Sequence, residues 1–232
     1  MSGSKLPTSS QTAVDAFLAK VRAAPTPVPA SHRGRLIFAL DATLSRQPTW
    51  DQATQLQAEM FRETQALGGL DLQLVYYRGF HDFFASPWLA ESEALLRHMT
   101  GVDCQGGQTQ IERVLTHAVE EAKAKRIAAL VFVGDAFEEN ADVACRKAGE
   151  LGILGVPVFV FHEGGAERPA QVFREIARLS KGAYCPFDAG SAKQLRELLS
   201  AVAVYAAGKR LALENHARKA GGAALLLTHR LG

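Results

Sequence analysis

Short apolar runs recur along this chain, at residues 36–40, 72–77, 127–133 and 157–161, with a weaker one at 183–187. The first, Leu36-Ile37-Phe38-Ala39-Leu40, is too short for a buried helix and shows no polar alternation, as expected of a strand covered on both faces. Between the runs the apolar spacing changes to three and four residues, which predicts helices over 50–67, 89–99, 110–125, 140–151, 170–179 and 192–207. Strands alternating with helices fold into a mainly parallel sheet, because right-handed crossovers carry the connecting helices onto its two faces. The expected fold class is therefore doubly wound α/β, of the Rossmann-like kind. The aromatic-rich stretch 80–87 is too short for a crossover and predicts a short antiparallel edge strand.

A chain of 232 residues holds one such domain with extensions. Val14, Phe17, Leu18 and Val21 share one helical face, and prolines at 25, 27 and 29 then force extended chain, so residues 1–33 read as a helix and a proline-rich linker. The domain itself is expected over 34–207. The remaining residues, 208–232, set Lys209, Arg210, Arg218, Lys219 and Arg230 against Glu214 and form a basic extension, a solvated helix or a docking segment.

A net charge of +2 gives no reason to expect a nucleic-acid partner. No apolar run approaches the roughly 20 residues needed to cross a bilayer, and residues 1–16 hold no apolar signal segment, so no membrane association and a cytoplasmic setting are expected. Cys104, Cys145 and Cys185 are odd in number and widely spaced, which suits reduced thiols better than a zinc site.

In open α/β sheets the ligand crevice lies at the carboxyl ends of the strands. There the first run ends in Asp41-Ala42-Thr43-Leu44-Ser45, a carboxylate and two hydroxyls at alternate positions. A glycine loop, Gly106-Gly107-Gln108-Thr109, delivers a third hydroxyl at a helix start, and Val133-Gly134-Asp135 delivers a second carboxylate. Two carboxylates and three hydroxyls, without histidine or cysteine, suit a hard cation such as Mg²⁺ or Mn²⁺. Such neutral-rich coordination leaves positive charge that attracts a carboxylate from another molecule.

Asp41, Thr43, Ser45, Thr109 and Asp135 follow the order of the metal-ion-dependent adhesion site of von Willebrand factor A (VWA) domains, and over about residues 34–207 the chain resembles that family. The resemblance implies that Thr43 and Ser45 bind the cation through their hydroxyls, that Thr109 joins when a ligand is engaged, and that Asp41 and Asp135 act largely through waters. It further implies a non-enzymatic adaptor that captures an acidic residue of a partner protein, with an AAA-type ATPase system as one candidate partner class. Thr43 stands where serine is commoner, and Ala136 follows Asp135 where glycine is frequent, a change able to alter the loop.

Each residue also has a plainer explanation. Asp41 can close an Asx-turn, and Thr109 with Glu112 spells a helix capping box. Glu138, Glu139 and Asp142 line the crevice rim or start a solvated helix; the histidines are scattered, and Trp50 and Trp88 suit helix packing. A competing activity is a phosphatase resembling the haloacid dehalogenases, with Asp41 as nucleophile, Thr109, Lys123 or Lys125, and Asp135. Thr43 then occupies the place of that superfamily's acid-base aspartate. A scaffold with a degenerate site is a further alternative.

Overall fold

Each of the apolar runs becomes a strand of one sheet. The computed structural model describes residues 11–24, 34–46, 70–91, 94, 97–99, 102–187, 200–202 and 205–206. The strands are β1 (Gly34–Asp41), β2 (Leu70–Arg78), β3 (Asp82–Ala85), β4 (Ala129–Gly134), β5 (Val158–Glu163) and β6 (Ala183–Phe187). They lie in the order β3-β2-β1-β4-β5-β6. All pairings are parallel except β2 with β3, the expected antiparallel edge. The described helices are α1 (Gln11–Ala23), α2 (Ile111–Ala124), α3 (Ala141–Ile153) and α4 (Glu167–Leu179). None of them is long and apolar enough to cross a membrane.

Strand periodicity divides the core into two layers. Leu36, Phe38 and Leu40 of β1 face one side, with Val131, Val133, Phe159 and Phe161; Ile37 and Ala39 face the other, with Leu130, Phe132 and Val160. The first layer is closed by α1, whose Phe17 ring sits 6.0 Å from Phe159 and 5.3 Å from Phe161, and by helical residues around Val202 and Tyr205. The second is closed by α2, α3 and α4, with Phe173 and Ile176 of α4 fully buried. Burial on both faces is why these strands read as unbroken apolar runs.

Some boundaries differ from the sequence expectation. Pro157 does not open β5; it has no N–H, and only its carbonyl joins the ladder, accepting from Leu130 at 3.0 Å. Helix α4 starts at Glu167 rather than 170, because Pro169 falls in the first turn, where an N–H has no helical acceptor anyway. Leu89 is not helical: it exchanges backbone bonds with Leu72 at 2.6 and 2.8 Å, while residues 94 and 97–99 are helical. The expected helix over 50–67, Trp50, most of 192–207 and the basic extension lie outside the described residues.

At the β2 edge, Arg35 packs its guanidinium 3.7 Å from the Trp88 ring centroid and pairs with Glu121 at 2.9 Å, and the Trp88 indole donates to the same carboxylate. Trp88 thus joins sheet to helix, as its packing role requires. None of the three cysteines is in a disulfide, and burial pushes Cys185 up to about 12.

Candidate metal centre

The strand order reverses at β1: the chain runs outward through β2 and β3, then returns to place β4 on the other side of β1. Loops on either side of such a switch point separate and leave a crevice at the carboxyl ends of the strands. Asp41 ends β1 and Asp135 follows β4, so the crevice is flanked by two carboxylates.

Asp41 is fully buried. Its Oδ1 accepts the Thr43 backbone N–H at 2.8 Å, closing the Asx-turn, and its Oδ2 accepts the Tyr77 hydroxyl at 2.9 Å. Both partners are neutral. Burial raises the Asp41 pKa, hydrogen bonds from Thr43 lower it, the charge of nearby Asp135 raises it, and the Tyr77 bond lowers it; the net direction is upward. Tyr77 is itself wholly buried on β2, opposite Asp41 in register, and its phenol is held neutral.

The alternation after β1 does aim two hydroxyls together: Thr43 Oγ1 and Ser45 Oγ are 3.2 Å apart. Asp135 Oδ1 is buried and is the one buried side-chain oxygen without a hydrogen-bond partner among the described residues. Buried polar oxygens are nearly always paired, because an unpaired one loses its solvation without compensation. Two neighbouring carboxylates, one with an orphaned oxygen, beside two converging hydroxyls make a donor set that fits a hard divalent cation. Among the described residues there is no group of three or more His, Cys, Asp or Glu side chains suited to hold a metal ion. The fit at this edge therefore rests on the two carboxylates taken together with the hydroxyls.

Thr109 does not form the capping box that its spacing with Glu112 suggests. Its Oγ1 accepts the Glu138 backbone N–H at 3.0 Å, and its own N–H donates to Glu138 Oε2 at 3.3 Å. The first turn of α2 is capped instead from the β4–α3 loop: Glu139 Oε1 accepts from Ile111 N–H at 2.6 Å and Oε2 from Glu112 N–H at 2.8 Å. A carboxylate there satisfies two orphan donors and meets the positive end of the helix dipole. Glu138 and Glu139 thus bind the Thr109 loop to the loop of Asp135. Asn140 caps α3, accepting from Asp142 and Val143.

The Thr109 loop is also stitched to β1 and β2. Gln105 N–H donates to Ala42 O at 3.1 Å, Gly79 N–H to Gln105 O at 3.4 Å and Gln108 N–H to Gly79 O at 3.1 Å. A Cβ at Gly107 would stand 1.8 Å from the Gly79 carbonyl oxygen, so the approach admits only glycine. Ala136 does not take a positive φ; Lys181 is the one non-glycine residue among those described that does.

On the far side, His162 is buried at the end of β5, with Nδ1 2.9 Å from the Tyr184 hydroxyl and Nε2 3.3 Å from the Asp135 carbonyl. Burial lowers its pKa, the Asp135 carbonyl bond raising it in part, so the ring is held toward neutral. It supports the Asp135 loop. Tyr77 and His162 are supporting residues that sequence reasoning assigned no such role, while Glu138 and Glu139, expected at the crevice rim or a helix start, tie the two loops together. A tyrosine inside an apolar strand, whose hydroxyl must find a partner when buried, was the one available signal.

No family profile matches the sequence, and no curated protein matches it. Solved structures do. The VWA domain of SpRpn10 superposes with a TM-score of 0.57 at 11% identity, covering 72% of this chain and 94% of that one. The fold is that of a von Willebrand factor A domain. The pilus adhesin SpaC from Lactobacillus rhamnosus GG matches with a TM-score of 0.62 at 11% identity over 83% of this chain. Proximal thread matrix protein 1 from the mussel byssus, in a form with a zinc-occupied MIDAS motif, matches with 0.58 at 16% over 74%. The chain spans 31% of the adhesin chain and 48% of the byssus chain. On the VWA fold, Asp41, Thr43, Ser45, Thr109 and Asp135 stand on three loops at one edge of the sheet.

Proposed function

We propose that the VWA domain, spanning 34–207, is a protein-binding module that holds a divalent cation, Mg²⁺ or Mn²⁺, through Thr43 and Ser45, with Thr109 joining when a ligand is engaged and Asp41 and Asp135 acting largely through waters. The cation presents an open position to an acidic side chain of a partner protein. The orphaned Oδ1 of Asp135, beside buried Asp41 and the Thr43–Ser45 hydroxyl pair, is the observation that carries this reading. A bound cation offsets the repulsion between the two carboxylates and leaves charge for an incoming one. The zinc-occupied MIDAS motif of the byssus protein supports a divalent cation in such a site, and the descriptions of a pilus adhesin and of a coat protein, human Sec24c, support binding to other proteins. Our reading places the module in the cytoplasm as an adaptor, with an AAA-type ATPase system as one candidate partner class.

The phosphatase reading finds no support in the site. Thr109 lies in a loop before α2 rather than at a strand end. Lys123 pairs with Glu150 at the far end of α2, and the Lys125 carbonyl accepts from Arg35 at the start of β1. Asp41 lies six residues along the strand from Arg35, about 20 Å away. Neither lysine stands with the aspartates.

Calorimetric titration of Mg²⁺ and Mn²⁺ into chelator-treated protein tests the proposal, run beside a variant carrying Asp41→Ala and Ser45→Ala with its fold checked by circular dichroism. Saturable binding by the parent and none by the folded variant is expected. Equal heats from both proteins, or none from the parent, would remove the metal centre.

A further inference from the structure

Only four large apolar side chains are exposed among the described residues: Leu44, Phe80, Ile153 and Leu154. Two of them rim the metal centre. Leu44, 60% exposed, sits between Thr43 and Ser45, and Phe80, 64% exposed, follows Gly79 in the β2–β3 turn. Asp41 and Tyr77 are register partners on adjacent parallel strands, and Leu44 and Phe80 each lie three residues beyond them. The two loops leave adjacent strands about 4.8 Å apart, at the same end of the sheet. Gln105 bonds to both loops, through Ala42 and Gly79, so the rim is continuous rather than two unrelated spots.

The opposite flank has different chemistry. Beyond β4 the rim carries exposed Glu138, whose carboxylate lies beside the Thr109 amide. It repels further acids, so a polyacidic segment suits the site poorly. We infer, resting on the metal-dependent reading above, that the site takes a partner segment in which the captured Asp or Glu is flanked on one side by apolar side chains that seat on Leu44 and Phe80. Water excluded by these side chains strengthens the carboxylate–cation contact, and the apolar contact makes recognition specific where the cation alone would accept any acid.

The test uses a phage library of random dodecapeptides, panned against the full chain in Mg²⁺ and eluted with chelator. The same panning is repeated on a variant carrying Leu44→Ser and Phe80→Ser, and calorimetric Mg²⁺ titration is run on each protein. Sequences eluted from the parent are expected to carry an acid with neighbouring apolar residues, enriched on the order of tenfold. The variant is expected to bind Mg²⁺ and to keep the acid while losing the apolar enrichment. Phe80→Ser alone, outside the metal loop, serves if the double substitution weakens the cation. Acids without apolar neighbours, an enrichment undiminished in the variants, or a parent that binds Mg²⁺ but releases no peptide would each overturn the inference and leave the metal centre standing. A parent that binds no Mg²⁺ ends both.

Discussion

Asp41 is a carboxylate held where a carboxylate is costly. Burial pushes its pKa up, and Asp135 adds to the push, so without a cation the protonated form is favoured more in the folded chain than in the unfolded one. A raised folded pKa gives a stability contribution that is complete below the unfolded value, near 3.8, and is lost as pH rises through the folded one. At neutral pH the metal-free protein therefore carries a penalty at this residue. Asp41→Asn is expected to raise the denaturant midpoint of metal-free protein at pH 7 and to narrow the difference at pH 4, while abolishing Mg²⁺ binding. For the parent, Mg²⁺ affinity should increase with pH through the acidic range, because the cation displaces the proton. A midpoint unchanged by Asp41→Asn at both pH values would refute the account. Of this chemistry the residue types and their alternation were legible in the sequence. The partnership of Asp41 with Tyr77 was not, because it depends on the β1–β2 register across 36 residues.

Among the elements, the junction between α2 and the β4–α3 loop is where local spelling and tertiary structure part. Thr109 and Glu112 have capping-box spacing, yet the amides of Ile111 and Glu112 go to Glu139. A cap delivered from 28 residues away cannot be seen in a local motif. The strand runs, by contrast, were legible because burial on both faces leaves no polar alternation to interpret. Glu139→Ala should cost about 1–2 kcal/mol, in the range for lost helix caps. Amide exchange at Ile111 and Glu112 should quicken most, with the amino end of α3, capped by Asn140, little changed. Exchange rising evenly along α2 would contradict a capping role. Gly107→Ala should be worse, since a methyl group would meet a carbonyl backed by the β2–β3 turn. Overpacking of this kind costs roughly 1–3 kcal/mol. Mg²⁺ affinity should fall with it; a variant that keeps both stability and affinity would show that the loop has room to move.

For the molecule as a whole, the layer that receives α1 differs from the layer of α2, α3 and α4. Phe173, between Phe132 and Phe137, anchors the latter, and Phe173→Ala is expected to lose about 3–5 kcal/mol in chemical denaturation. A loss under about 1 kcal/mol would mean that this layer repacks freely. The other layer borrows part of its cover from outside the strand-and-helix alternation. Phe17, Val14 and Val21 of α1 lie over β5 and β6, on Phe159 and Phe161, with the proline-rich stretch between that helix and β1. Anyone trimming this chain to its apparent minimal unit at Gly34 would strip that cover and open one side of two phenylalanines to water, with Tyr205 left to pack on Phe159 alone. Bare aromatic surface of that kind finds its match in another copy of itself, so the shortened protein would be expected to form soluble clusters or a precipitate, and its apparent stickiness would be an artefact of where it was cut.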